Sequence, residues 1–242
     1  MSTPSYRFTC FEFETSCSYF PEKKSQIRLC DPAQSTPESY DILIQNGYRR
    51  DGTAQYCPVC ADCQACKSTR VRTNEFIPNA TQRKTLKRNS HLLVRSLPPV
   101  FVQEHYDLFI RYERMRHGGY MSTMTEQDYT KHLLGTSART FLLEFSYPDT
   151  QAPAAVAVVD DTADGLSAVY TFYDPQARTS SLGTFCILYE LELAKRLGYP
   201  YLYLGYWLQN YPRMDYKRNF QPTEVFHNSR WLDFDAFLQE TT

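Results

Sequence analysis

The chain has no run of about 18 apolar residues, and Met1 to Cys10 carries neither the cationic nor the apolar stretch of an export signal. The expectation is a protein of the cytoplasm with no membrane partner. Negative charge is also scarce over one stretch. Between Lys67 and Arg95, Glu75 stands alone against Lys67, Arg70, Arg72, Arg83, Lys84, Lys87, Arg88 and Arg95. With a formal net charge of -1 for the whole chain, that local excess of about seven charges is a patch and not a general coating. It points to phosphate at one defined contact, such as the end of an RNA, and no DNA partner is expected. The cations of Asn79 to Asn89, namely Arg83, Lys84, Lys87 and Arg88, are spaced to share one helical face, which suits a phosphate backbone read without its bases. A solvated surface is the alternative for such a run.

Cysteine is plentiful, at eight residues. A chain of 242 residues can build a core without staples, and without an export signal its thiols stay reduced. Cys57, Cys60, Cys63 and Cys66 recur every third residue. This spacing contains the C-x2-C-x2-C of iron–sulfur ligation and lacks the wide gap between two pairs that marks a zinc ribbon. These four are candidate ligands of an iron–sulfur cluster or zinc, with Cys17 a further candidate and free thiols the alternative.

Hydrophobic residues at 42% and charged ones at 22% are ordinary for a globular protein, while 19 tyrosines and 15 phenylalanines suit deep pockets as well as core. Pro98-Pro99 suggests a boundary between a first domain, 1–98, holding the cysteines and the basic segment, and a second, 99–242. Thr36, Pro37 and Gly47 bracket one helix, and Tyr48 to Tyr56 reads as a strand or hairpin. The second segment predicts a helix over Gln103–His117 and one from Thr125 to Gly135. Strands follow at Thr140–Tyr147, Ala154–Asp160 and Leu166–Tyr173, then a helix over Ser181–Leu197 and a strand over Tyr201–Trp207.

That order is the layout of an α/β fold of the acyltransferase (GCN5-related N-acetyltransferase-like) type, here with an N-terminal cysteine-containing domain. Coenzyme A binders of this type carry paired glycines before the last long helix. Asp174 to Gly183 has no such pair, so acetyl-CoA is not the expected donor.

The ordered motifs are Cys17-Ser18-Tyr19, Asn46-Gly47-Tyr48-Arg49-Arg50, Cys60-x-x-Cys63-x-Ala65-Cys66, Gln82-Arg83-x-x-x-Lys87-Arg88-Asn89, Gly165 through Pro175, Ser181-Leu182-Gly183-Thr184, Leu202 through Trp207, and Met214-x-Tyr216-Lys217-x-x-Phe220-x-Pro222. Through them the chain resembles the bacterial aspartate/glutamate leucyltransferases, short members of the arginyl-tRNA-protein transferase family. The resemblance implies transfer of leucine from leucyl-tRNA to the α-amine of proteins beginning with Asp or Glu, a mark for N-degron proteolysis. It also implies action in the cytoplasm. Eukaryotic relatives are linked to an iron–sulfur cluster through cysteines whose nearest counterparts are Cys17 and the Cys63/Cys66 region. Phe20 stands where those relatives have another cysteine, and Cys57 is an extra one.

For such a reaction Asp174 is the first candidate to accept the amine proton, with Tyr170 beside it, and a turn role before Pro175 is the alternative. An acidic acceptor calls for a cation. Lys217 comes first, then Arg213, with Arg49, Arg50, Arg139 and Arg178 open. Tyr206 and Trp207, with Tyr201 and Tyr203, are candidates to stack the terminal adenine, although alternation assigns half of them to core. Arg83, Lys84, Lys87 and Arg88 are the expected tRNA contacts. His105 and His117 read as structural. Arginyl transfer, or acyl transfer without tRNA, would suit the same layout.

Overall fold

Capping chemistry sets several helix boundaries. Thr36 Oγ1 accepts from Ser39 N while Ser39 Oγ returns to Thr36 N, and the helix stops before Gly47, whose φ of +83° suits a residue without Cβ. The computed structural model describes residues 7–177, 180–209 and 211–241. The elements run β1 (Cys10–Ser16), β2 (Lys24–Cys30), α1 (Pro37–Gln45), β3 (Arg49–Asp51), β4 (Ala54–Pro58), β5 (Cys66–Arg72), α2 (Ala80–Asn89), β6 (Leu93–Leu97), α3 (Gln103–Arg116), α4 (Glu126–Tyr129), β7 (Arg139–Ser146), β8 (Pro153–Thr162), β9 (Gly165–Tyr173), α5 (Leu182–Arg196), β10 (Tyr201–Leu208), α6 (Pro212–Asp215), β11 (Thr223–His227), β12 (Arg230–Asp233) and α7 (Phe234–Thr241). They form a mixed α/β architecture.

A four-stranded sheet is ordered β1-β2-β4-β3, and an eight-stranded one β12-β11-β5-β10-β9-β8-β7-β6. The core lies on both faces of the larger sheet. On one face Phe145, Ala157 and Leu166 meet Phe185, Leu188 and Leu191 of α5. On the other, Leu142, Val156 and Phe172 meet Phe109 of α3 and Tyr129. A strand covered on both sides needs no alternation, which is why β8 reads as an unbroken apolar run from Ala154 to Val159.

β5 and β6 come before Pro98, yet β5 pairs with β10 and β11, and β6 pairs with β7. Pro98 and Pro99 therefore connect β6 to α3 alongside one continuous sheet, and the residues before them feed both sheets. The smaller sheet is pinned to the larger by Arg50 of β3. Its Nε and Nη2 donate to Asp160 Oδ2 and Oδ1 at 2.6 and 2.8 Å, and Thr140 Oγ1 also donates to Asp160.

One irregularity positions the site. β9 and β10 pair in parallel only where Gly165, Leu166 and Ser167 face Tyr201, Leu202 and Tyr203. Beyond Tyr203, β10 has an irregular register against β5, while β9 continues along β8 to Tyr173. The sheet opens into a seam between them.

Candidate functional site

Arg49, from β3, lies across this seam. Its Nη1 donates to Ser167 Oγ at 3.3 Å and its Nη2 to the Ala168 carbonyl at 3.2 Å. The guanidinium rests on Gly205, which has a φ of +77°, and a Cβ there would fall 2.7 Å from Arg49 Cζ. Lys217 reaches in from the 3-10 turn Tyr216–Asn219, 6% exposed, with Nζ donating to the Tyr206 carbonyl at 2.5 Å. Burial and then the neighbouring Arg49 push its ammonium down to about 7. The donors of both cations thus go to hydroxyl and carbonyl oxygens. Among the described residues neither is paired with a carboxylate, whereas Arg50 is taken by Asp160 and Arg139 by Asp41. Arg178 lies outside the described residues.

The wall of the seam is aromatic and acidic. The Tyr170 hydroxyl donates to Glu113 Oε1, and burial followed by Glu113 holds that phenol far above its ordinary range. Tyr112 and Tyr173 pack at a tilt with centroids 4.7 Å apart, and Arg116 Nη2 donates to the Tyr173 hydroxyl at 2.9 Å. Tyr216 stands at the rim, 43% exposed, yet its phenol is pushed up to about 12 by burial, then Glu190 and Tyr173. Glu190, on α5, is 0% exposed, and among the described residues neither carboxyl oxygen has a hydrogen-bond partner. Sequence reasoning missed it, although an acid four residues from both Cys186 and Ala194 on an apolar helical face was a legible signal.

Several expected site residues serve the fold instead. Asp174 Oδ1 accepts from Gln176 N at 3.0 Å and Oδ2 from the Tyr147 hydroxyl at 3.3 Å, the work of a turn anchor before Pro175. Trp207 is buried against Phe234 and Phe237, with Nε1 donating to Asp215 Oδ1 at 3.2 Å. Tyr206 is buried and donates to the Gly47 and Tyr56 carbonyls. Tyr201 lies 3.5 Å under the Arg70 guanidinium, and Tyr203 packs on Trp231. These rings are not a free stacking platform, because Arg70 of β5, Trp231 of β12, Phe234 and Phe237 of α7 and Tyr56 of the small sheet pack on them. Arg213, on α6, is exposed. His105 donates or accepts at Glu144 Oε2, 2.6 Å away, in a buried structural pair.

The basic stretch narrows to one helix. Arg70 and Arg72 pair with Glu224, and Arg72 also with Glu75 and Asp233, while Arg95 pairs with Glu144. Arg83, Lys84, Lys87 and Arg88 are exposed on α2, whose opposite face buries Gln82, Thr85 and Asn89. Gln82 Nε2 donates to the Asn219 carbonyl at 3.0 Å, at the end of the turn that carries Lys217. Asn89 Nδ2 donates to the Ser180 carbonyl at 2.7 Å, just before α5. Among the described residues the N-terminus of α5 has no side-chain cap, and Ser181 there has a φ of 53°. The positive end of the helix dipole there favours an anion.

A cavity of about 370 Å³ is lined by Cys17, Cys60, Cys63 and Cys66 together with Tyr19, Lys67, Tyr206 and His227. Burial pushes the Cys66 thiol up to about 12, with Cys17, Cys63 and Cys60 adding to it in that order. Cys57 is absent from this lining. It sits on β4 near Tyr48 and Arg28, because alternation along the strand turns it to the other face. The cavity thus brings together Cys17, Cys60, Cys63 and Cys66, while Cys57 of the expected quartet lies outside its lining. No three His, Cys, Asp or Glu side chains among the described residues are already drawn together at coordination distance.

Residues 15–84 match the family model described as arginine-tRNA-protein transferase, N terminus, and residues 104–227 match its C-terminal counterpart. An aspartate/glutamate leucyltransferase of Thiobacillus denitrificans is 42% identical over 222 residues, 91% of this chain and 92% of that protein. The chain belongs to the arginine-tRNA-protein transferase family. A second relative, the aspartate/glutamate leucyltransferase of Nitrosococcus oceani, is 41% identical over 227 residues, covering 93% of each chain. The crystal structure of FemX is similar in fold alone, with a TM-score of 0.52 and 7% identity over 97% of this chain and 90% of that one. In family terms the N-terminal half brings Arg49 and the cysteine cavity, the C-terminal half brings Tyr170, Glu190 and Lys217, and the seam is where the halves meet.

Proposed function

We propose that this transferase moves leucine from leucyl-tRNA to the α-amine of proteins that begin with Asp or Glu, marking them for N-degron proteolysis, on a fold of the GCN5-related acyltransferase type. The observation that carries the reading is the pair of cations at the seam, Arg49 half-buried and Lys217 buried, neither paired with a carboxylate among the described residues. Two cations kept out of water cost free energy unless an anion arrives, and the side chain of an acidic N-terminal residue is such an anion. A bound carboxylate would also hold Lys217 in its charged form at neutral pH.

The reaction is aminolysis of an ester. The α-amine attacks the leucyl carbonyl, and the ribose hydroxyl of the terminal adenosine leaves. An α-amine titrates near ~7.7 to 8.0, so the enzyme's main task is to bring both ends together. Anchoring the acceptor side chain on Arg49 and Lys217 fixes where its amine points. On the donor side, α2 would track the acceptor arm while the uncapped start of α5 faces the phosphates of its 3′ end. Replacing Lys87 by Ala should weaken leucyl-tRNA binding and reduce the slope of log K against log salt by about 0.7 to 0.9, leaving the transferred amino acid unchanged. Filter binding across a salt series measures this, and an unaltered slope removes Lys87 from the interface.

Cys17, Cys60, Cys63 and Cys66 suit an iron–sulfur cluster or zinc, since four half-buried thiols line one cavity. Such a group would supply cross-linking of the cysteine loop to the start of β5. Protein purified without oxygen should carry metal that is lost in Cys63→Ser and kept in Cys57→Ser, read by elemental analysis. Equal loss in both would restore Cys57 to the ligand set.

Incubation of purified protein with leucyl- or arginyl-tRNA and peptides beginning with Asp, Glu or Lys, scored by mass, tests the whole reading. Leucine added to Asp and Glu peptides alone is the expected result. Arginine addition, or acetylation from acetyl-CoA, would replace it.

A further inference from the structure

We propose that Glu190 meets the α-amine of the acceptor and takes a proton from it as the amine attacks the aminoacyl ester. The inference rests on the leucyl-transfer reading above and names a catalytic group for it.

Glu190 lies on the buried side of α5, one turn from Cys186 and one from Ala194, where Phe185, Ile187 and Leu191 are also buried. It is 0% exposed, and among the described residues neither of its oxygens has a hydrogen-bond partner. A carboxyl in that position stabilises nothing in the fold, and a leucine would pack better. The titratable groups that face it are Cys186 on its own helix and Tyr216 from the turn that carries Lys217. Tyr216 in turn faces Tyr173 of β9 and Arg49 of β3. Glu190 is therefore close behind the rim of the seam, on the same side as the two cations. The ion it lacks is a cation, and the acceptor brings one: an ammonium two bonds from the side chain that Arg49 and Lys217 would hold. Burial raises the Glu190 carboxyl to about 8, level with an α-amine at ~7.7 to 8.0, so a proton passes between them at little cost.

The ammonium gives one proton to the Glu190 carboxylate. The freed nitrogen lone pair forms the bond to the leucyl carbonyl carbon, and the bond from that carbon to the ribose oxygen breaks. A second proton from the nitrogen goes to the departing ribose oxygen. The proton on Glu190 passes to solvent after the product leaves, so one proton is released per turnover.

Glu190→Gln keeps the volume and removes the base. It should lower kcat with an Asp peptide by about 100-fold or more at neutral pH, with leucyl-tRNA binding unchanged. The loss should shrink at alkaline pH, where the amine is already neutral. An α-aminooxy acceptor, whose nitrogen is already neutral in this range, should lose far less in the variant than the amine does. A purely structural glutamate would move both acceptors equally or neither. Activity of Glu190→Gln within about threefold of the unaltered protein at every pH would overturn the proposal. Should that variant fail to fold, Glu190→Asp takes its place, since it keeps a carboxyl and shortens its reach. A loss with the amine that far exceeds the loss with the aminooxy acceptor supports Glu190, and equal losses overturn it. If the unaltered protein extends no peptide from leucyl-tRNA, the failure belongs to the leucyl-transfer reading and not to Glu190.

Discussion

Arg49→Ala should reduce kcat/KM for peptides beginning with Asp or Glu by about 30-fold to several thousandfold while leaving leucyl-tRNA affinity near its original value. Removing one partner of a desolvated, hydrogen-bonded ion pair costs about 2 to 5 kcal/mol, because the remaining charge is left buried, and about 1.4 kcal/mol is tenfold. Arg49→Lys keeps the charge but loses the planar fork that matches a carboxylate, so it should fall between the two. Lys217→Met should act in the same direction and less strongly, since burial and Arg49 already draw its ammonium down to about 7. Steady-state assays with Asp, Glu and Asn peptides read the result. If Arg49→Ala lowers the rate for all three equally, the arginine orders the seam through Ser167 and Ala168 and does not select the acceptor.

Arg50→Leu should destabilise the protein by about 3 to 5 kcal/mol. It leaves Asp160, 0% exposed, as a buried carboxylate with Thr140 as its remaining partner. Adding Asp160→Leu should recover most of that loss, because a well-packed apolar pair replaces a buried ion pair at little cost. Urea denaturation of the two single variants and the double variant gives the coupling directly. Activity should fall further than stability alone explains in Arg50→Leu, since the neighbouring Arg49 rides on the same three-residue strand, Arg49–Asp51. A single variant as stable as the original would mean that the two sheets are held by other contacts.

Elements with a local signal were legible in the sequence. Thr36 and Thr125 cap their helices as their positions suggest, and β7 to β10 fall within a residue or two of the apolar runs. Strand partners set by distant residues were not legible. β5, with sequence Cys-Lys-Ser-Thr-Arg-Val-Arg, looks like solvated cationic chain. In the fold its polar side chains are buried on carbonyls and acids brought from elsewhere, Ser68 on Gly47, Thr69 on Gly205 and Arg70 on Glu224. For the same reason the charged patch read as one surface is really α2 plus a set of internal ion pairs, and Pro98-Pro99 looked like a boundary.

The site was half legible. Motif matches flagged Arg49 and Lys217, and spacing on α2 flagged its four cations. Alternation along β10 could not tell which faces were covered, so Tyr206 and Trp207 looked available when both are core. Asp174 carried the same local pattern for a base as for a turn, and its geometry is that of the turn.

Gln82 and Asn89 are seven residues apart on α2, about two turns, so the two bonds that hold this helix leave from one stripe while its cations leave from another. The helix thus works as a spacer block with one end keyed to the Lys217 turn and the other to the threshold of α5. A single residue inserted between the two keys would rotate one of them by about 100° and unseat it. The four cations would survive such an insertion, yet the helix could no longer engage both the Lys217 turn and the start of α5, so the distance it sets between them depends on its residue count.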